Sequence, residues 1–268
     1  MARIGLQQEL LGDVSIGYSG GLDSTTVAVL AARQGKGAVH LHTLRHGYGY
    51  LFYWWVGRTL PSLRRALGPD RVFHRYVNTR DLFRAIALQP LLADRRRYGQ
   101  GFGCCLGCTL AIVTKMVIYN LERNIPHIMF GSSVGGEYAV MSMPVTVERL
   151  RAFCARYGIL YSAPLLENRI VKADERALLD ELGVYRGVRF LNKHSFANQG
   201  YCLLSLQHLP DVLFNVHPVY RPENVRAFIE DRLPACDRYI ESAFAGRERE
   251  LGDAVDALKR VTARESAA

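Results

Sequence analysis

From residue 14 to about residue 185, short runs with strand periodicity alternate with longer stretches of helical periodicity. Val14, Ile16 and Tyr18 alternate with smaller residues and lead into a Gly-rich turn, which reads as a strand ending in a loop. Residues 22–33 are helical in composition, with Val27, Leu30 and Ala31 on one face and Gly35 and Gly37 closing the segment. Further strands are predicted over 38–44, 71–77, 125–130 and 159–163. Helices are predicted over 81–88, 110–121, 145–157 and 172–182, and over 51–67 with an interruption at Pro61. Residues 91–103 read as a basic loop containing glycine. Alternation of this kind predicts an α/β fold, a doubly wound parallel sheet covered by helices on both faces. Such sheets bind ligands at the carboxyl ends of their strands, where Gly-rich turns of this chain fall.

The 268 residues are enough for one large domain with an appendage. The alternation breaks beyond Gly187, so the expected division is a core over 1–187 and an irregular, helical extension over 188–268 packed on it. Within that extension 186–221 is rich in Asn, His and Pro, and 223–259 reads as two helices split near Pro234. Residues 262–268 are small and polar and are expected to fray. A formal net charge of +9 favours anionic partners: nucleotides, phosphates or RNA. No run reaches the roughly 18 uninterrupted apolar residues that span a bilayer. The first residues lack the apolar core and cleavage site of a signal peptide. A cytoplasmic setting without membrane contact follows as the expectation, with the six cysteines as thiols for metal binding or catalysis.

The first predicted strand runs into Ser19-Gly20-Gly21-Leu22-Asp23-Ser24. Gly20 and Gly21 bring backbone N–H groups close to an anion without side chains in the way, and the following helix adds its positive end. Ser19 and Ser24 add hydroxyl donors, and Asp23 is suited to hold a magnesium ion or orient the loop. This hexamer resembles the phosphate loop of the PP-loop (ATP pyrophosphatase) family, adenine nucleotide alpha-hydrolase-like enzymes that cleave ATP between its α and β phosphates. The resemblance implies that Ser19, Gly20, Gly21, Asp23 and Ser24 bind the pyrophosphate part of ATP and that the end of the second strand, around Leu41-His42-Thr43, meets the adenine, with Thr43 as the contact. Many relatives carry Gly-x-Asn-x-x-Asp-Asp after the fourth strand. Here Gly131 is in place, the Asp pair is missing, and Glu137 is the carboxylate left to serve.

Gly103-Cys104-Cys105-Leu106-Gly107-Cys108 stands just before the apolar helix predicted over 110–121. A helix N-terminus stabilises thiolates, so these sulfurs are expected to be reactive or metal-bound. With Cys202 further on, the layout resembles the sulfur-inserting branch of the family, the tRNA 2-thiolation enzymes and related sulfurtransferases. That resemblance implies a 4Fe-4S cluster on Cys105, Cys108 and Cys202, with Cys104 as alternate ligand. The Pro164-Leu165 pair followed by Lys172 resembles the same branch. Two other readings stay open: a persulfide or disulfide relay, and a zinc ion with Cys154, Cys236 or a His as fourth ligand. Cys154, on an amphipathic helix, reads as core.

Weaker signals surround these. Tyr48 or Tyr50 is positioned to stack on a planar base, whereas Phe52-Tyr53-Trp54-Trp55 reads as helix core. His40, His74 and His127 read as structural, and nothing fixes a role for His194, His208 or His217. Lys115 and Lys172 are candidates to neutralise phosphate charge, and Arg95, Arg96 and Arg97 to guide an anionic substrate. The expected enzyme is an ATP-dependent sulfurtransferase that adenylates a carbonyl oxygen of a tRNA base or small molecule. Catalytic roles fall to Asp23, Cys105 and Cys108. ATP, Mg2+ and the cluster are its cofactors, a sulfur donor protein or sulfide is its partner, and a homodimer is compatible. Competing expectations are a PP-loop ligase in which an amine attacks the adenylate, and a nucleotide-binding regulator without turnover.

Overall fold

A computed structural model describes residues 10, 12–99, 101–132, 139–184, 201–204 and 219–267. Its centre is a five-stranded, all-parallel sheet. The strands are β1 (Val14–Gly17), β2 (Val39–Arg45), β4 (Val72–Asn78), β5 (His127–Phe130) and β6 (Leu160–Ser162), in the order β4-β2-β1-β5-β6. β1 is flanked by β2 on one side and β5 on the other, so the chain reverses its direction of winding at β1. That reversal is the switch point at which open α/β sheets leave a crevice. The turn leaving β1 carries the Gly-rich hexamer.

Two cores sandwich the sheet. One holds α1 (Leu22–Gln34), α2 (Leu60–Leu67) and α8 (Lys172–Glu181), with Val27, Leu30, Leu63 and Leu179 fully buried. The other is built on α5 (Gly103–Arg123) and α6 (Pro144–Arg156), with Leu106, Leu110, Met116 and Phe153 buried. Burying each such side chain contributes roughly 1.5–3 kcal/mol. α5 passes the length and hydropathy test for a membrane span, but 78% of its most apolar window is buried inside the molecule. A central helix packed on both faces reads this way.

Five expectations about elements change. Pro61 does not interrupt a helix; it sits in the first turn of α2, where its missing N–H has no partner to lose. The residues ahead of it form a short strand β3 (Tyr50–Leu51) and a 3-10 turn (Tyr53–Arg58). Residues 91–98, expected as loop, form α4 (Leu91–Tyr98), which Gly99 ends with φ +84. α5 begins seven residues earlier than its apolar pattern, so the cysteines lie within its first two turns rather than before it. The small residues there mask the period. Near the C-terminus, α9 (Pro222–Ala243) runs straight through Pro234, and the break falls later, around Gly246 with φ +77. A proline inside a helix costs about 3 kcal/mol. Burial of Phe228 and Ile229 before it and Cys236 and Ile240 after it offsets that cost. The final helix, α10 (Glu248–Ala267), takes in residues expected to fray.

Packing ties α9 to the core. Arg232 is ion-paired with Asp94 of α4 and donates to the carbonyl of Ile86 at 2.8 Å. Asp237 accepts from Tyr157 at 2.7 Å and from Arg156 at 2.7 Å.

Candidate functional site

The turn after β1 builds a small cage of polar atoms. Ser24 Oγ accepts from the Ser19 amide at 3.2 Å and lies 3.2 Å from Ser19 Oγ, which in turn accepts from the Gly21 amide at 3.2 Å. Thr25 donates to the Gly21 carbonyl at 2.7 Å. Gly20 adopts φ +74, a region open to glycine at little cost. Gly21 then precedes α1 with extended backbone and no side chain over the helix end. Gly131, after β5, closes the far side. A Cβ there would lie 2.7 Å from the Ser24 nitrogen and 2.8 Å from the Asp23 carbonyl carbon, so the two turns touch backbone to backbone.

Asp23 is ion-paired with Lys172, the first residue of α8. Lys172 also lies 3.4 Å from Glu175, a fully buried carboxylate neither of whose oxygens makes a hydrogen bond of good geometry. Burial, then the charge of Asp23, pushes the Glu175 carboxyl up to about 7, with Lys172 pulling the other way. Sequence reasoning named Lys172 but missed Glu175, whose only signal is its place one turn after that lysine on the same helix face.

Over the loop lies a cavity of about 340 Å³. Ser19, Gly21, Asp23, Ser24 and Gly131 line it, together with Cys108, Thr109 and Ile112 of α5. Its wall also includes His42, which the resemblance placed near the adenine, and Leu44, Phe130, Met141 and Tyr161, which the sequence did not single out as lining residues. Phe130 and Tyr161 stack with ring centroids 5.7 Å apart, and the Phe130 ring fills the space a Cβ on Gly17 would need. Thr43 does not line the cavity. Side chains alternate along β2, so His42 and Leu44 face the cavity and Thr43 the other side. There Thr43 donates to the Tyr18 carbonyl at 2.8 Å and meets His74 Nε2 at 2.9 Å. Burial, then Arg75, His40 and His74, lowers His42 to about 3, so a neutral imidazole faces the cavity. It is held 3.2 Å from Ser15 Oγ, which donates to Asn120 at 2.6 Å.

The cysteines gather at the start of α5. β3 pairs with a short strand β7 (Tyr201–Cys202), Tyr50 opposite Cys202, and this carries Cys202 to the other three thiols. His46 Nε2 lies 4.0 Å from its sulfur. None of the six cysteines is in a disulfide. Burial works against the expected thiolates. Desolvation, then the neighbouring Cys202 and Cys104, pushes Cys105 up to about 12, and Cys108 is held well above its ordinary value for the same kind of reason. Among the described residues, no three His, Cys, Asp or Glu side chains converge to hold a metal ion. Cys105, Cys108 and Cys202 are thus neighbours whose described geometry does not fit a cluster or a zinc site. Cys154 is buried in the core, as expected, and so is Cys236.

The remaining candidates divide. Arg97 is ion-paired with Asp231 at 2.7 Å, which ties it to α9; Arg95 and Arg96 are exposed on α4. Lys115 donates to the Tyr239 hydroxyl at 2.6 Å, away from the loop cavity. His40 bridges Asp13 at 3.0 Å and Tyr119 at 2.9 Å, the structural role expected of it. Tyr48 packs beside Phe83, with Arg80 over its ring at 5.5 Å. Glu137, His194, His208, His217 and the side chain of Tyr50 lie outside the described residues.

No protein-family model and no curated protein matches this sequence. Solved structures do match. A 4-thiouridine synthetase, solved in complex with RNA and bound ATP, aligns with 87% of this chain and 53% of its own, at 15% identity and a TM-score of 0.52. A predicted subunit of tRNA methyltransferase from Methanocaldococcus jannaschii aligns over 80% of this chain and 91% of its own, at 14% identity and a TM-score of 0.46. The U34-tRNA thiolase NcsA from Methanococcus maripaludis, solved with its 4Fe-4S cluster, aligns over 88% and 74%, at 15% identity and 0.45. The chain shares the parallel α/β fold of the synthetase, as expected of it, and spans about half of that protein.

Proposed function

We propose that this chain is an ATP-using enzyme of the PP-loop family that adenylates a carbonyl oxygen of its acceptor and exchanges that oxygen for sulfur, releasing AMP and pyrophosphate. One observation carries the reading: the donors of the phosphate loop and the thiol of Cys108 line the same cavity. A pocket for nucleotide alone has no need of that thiol.

ATP would lie with its β and γ phosphates against Ser19, Gly20, Gly21 and Ser24, closed over by Gly131. The amides and hydroxyls of the loop then meet the charge that grows on pyrophosphate as the acceptor oxygen attacks the α-phosphorus. Asp23 is the hard oxygen ligand suited to magnesium, which when bound with ATP offsets phosphate charge. Lys172, paired with Asp23, is the cation that can turn to the phosphates when nucleotide enters.

Sulfur chemistry follows the thiols as they stand, and no step is derived through a cluster. A donor protein's persulfide passes its outer, sulfane sulfur to Cys108: the Cys108 sulfur bonds to that atom, the donor's S–S bond breaks, and the donor leaves as a thiol. The terminal sulfur of the resulting Cys108 persulfide attacks the adenylated carbon, the carbon–oxygen bond to AMP breaks, and the acceptor is left joined to Cys108 through a disulfide. The Cys105 thiol, one helical turn back, then attacks the Cys108 sulfur. The thio-product leaves with the electron pair of the broken S–S bond and the proton of Cys105. The resulting Cys105–Cys108 disulfide is returned to two thiols by an external dithiol, which suits a reducing compartment such as the cytoplasm.

The test separates activation from sulfur transfer. Asp23→Asn or Ser24→Ala is expected to weaken ATP binding at least about tenfold by calorimetry, in line with losing charge-assisted or buried hydrogen bonds. Cys108→Ser is expected to leave ATP binding and pyrophosphate release intact while abolishing thio-product. Thio-product from Cys108→Ser would rule out its carrier role. Iron and acid-labile sulfide bound stoichiometrically after anaerobic purification would restore the cluster reading over the relay. An amine-coupled product formed equally well by Cys108→Ser would favour a ligase.

A further inference from the structure

The segment Phe52-Tyr53-Trp54-Trp55, which reads as helix core in sequence, is largely on the surface. Trp54 is 53% exposed and Phe52 37% exposed. Tyr76 of the edge strand β4 stands beside them at 42%. These rings support one another. Phe52 stacks on Trp55 with centroids 4.5 Å apart, Tyr53 meets Trp54 edge-on at 5.2 Å, and Tyr76 meets Tyr53 at 5.6 Å. Tyr76 also donates to the Trp54 carbonyl at 3.4 Å. Phe52 is held at φ +56, a left-handed conformation that is strained for a bulky residue and persists only when its surroundings over-determine it.

Cations frame the rings. The Arg45 guanidinium lies 5.3 Å from the centre of Tyr53 and that of Arg58 5.0 Å from the centre of Trp55. Over residues 45–80 the sequence has seven arginines and one carboxylate, Asp70. Exposed aromatic faces interleaved with guanidinium groups, and almost no acid, match a strand of unpaired bases whose phosphates need neutralising. A lipid surface would ask for aliphatic depth, and an acidic protein would not need the flat rings. The patch is continuous with the site already described: β3, immediately before Phe52, pairs with the strand that carries Cys202.

We propose that Phe52, Trp54 and Tyr76, flanked by Arg45 and Arg58, form a stacking surface for single-stranded RNA. This deepens the functional reading by fixing the acceptor as part of a polynucleotide, and it rests on that reading only for the link to sulfur transfer.

Trp54 and Trp55 are the only two tryptophans in the chain, so intrinsic fluorescence reports on this patch alone. The experiment titrates the full chain, without ATP, with a short oligouridylate at several salt concentrations. The expected result is quenching, with Trp54→Leu binding at least about tenfold more weakly, consistent with the loss of one stacked base. Arg58→Ala is expected to lower the slope of log affinity against log salt by about one. Circular dichroism and unchanged calorimetric ATP affinity show that the variants are folded and the loop intact. Absence of quenching, equal affinity of Trp54→Leu and wild type, or quenching by anionic vesicles but not by RNA would each overturn the proposal. ATP binding without RNA binding would sink this inference and leave the phosphate loop standing; RNA binding without ATP binding would do the reverse.

Discussion

Glu175 shows how one residue can couple the phosphate loop to pH. Its carboxyl is shut from water beside Asp23 and Lys172, and its pKa stands at about 7 against an ordinary value near 4.5. A carboxyl with a raised folded-state pKa takes up a proton on folding. Its contribution is full below the unfolded value, and it is lost as pH rises through the folded one. A tenfold change in proton affinity corresponds to about 1.4 kcal/mol, so wild-type stability is expected to fall by roughly 2 kcal/mol between pH 5 and pH 8. Glu175→Gln keeps the shape without the charge. Thermal melts across that range should show a sloping midpoint for wild type and a much flatter one for the variant. Parallel curves would mean that Glu175 does not titrate there. Gly131 is a second single-residue constraint, because any side chain would strike the backbone of Ser24 and Asp23. Gly131→Ala should therefore weaken ATP binding about tenfold or more by calorimetry while changing the melting midpoint little, since the clash falls on a loop at the rim of the core.

At the scale of elements, the legible parts were those whose period and punctuation agree. Residues 14–17 followed by Gly20, Gly21 and a hydroxyl-rich helix start announce a strand, a tight turn and a helix together, and all three stand in place. The cysteines at the start of α5 were legible as a group, but their environment was not. Spacing reports that sulfurs are near a helix end; it does not report how deeply the helix is sunk. Depth comes from a long-range contact: a Cβ on Gly107 would lie 2.5 Å from that of Ala87, so α5 packs directly on the π-helical turn Arg84–Leu88. The aromatic run after β3 was misread for a related reason, since only the assembled layers show that its rings sit outside them. Phe130 and Tyr161 escaped notice because each is an ordinary strand residue until the sheet order brings their strands to one cavity. Gly107→Leu is expected to lift α5 off this turn and cost about 1–3 kcal/mol, as overpacking does. It should also raise the alkylation rate of Cys105 and Cys108 at neutral pH as their burial is relieved, which peptide mass mapping after brief iodoacetamide treatment would read. Unchanged labelling at reduced stability would locate the thiols' protection elsewhere.

For the whole molecule, the question is whether the C-terminal helices form an annex or part of the core. Val225, Phe228, Ile229, Ile240 and Phe244 are each at most 2% exposed, and all belong to the same apolar cluster as α5 and α6. Tyr98 and Phe102 meet Phe228 edge-on at 5.6 and 5.8 Å, and Asp94 holds Arg232 beneath them. α10 closes the same side, with Leu258 fully buried and the backbone of Lys259 so near Gly158 that a Cβ would lie 2.6 Å away. Removing both helices would uncover the face of α5 next to the thiols, an apolar surface too large for a stable monomer to expose. The expectation is one cooperative calorimetric transition for the intact chain. A chain ending at residue 221 should be insoluble or bind hydrophobic dye strongly, although its whole phosphate loop is retained. Two separate transitions, or a soluble truncated chain that still binds ATP, would show that the core stands alone and that the extension serves the acceptor instead.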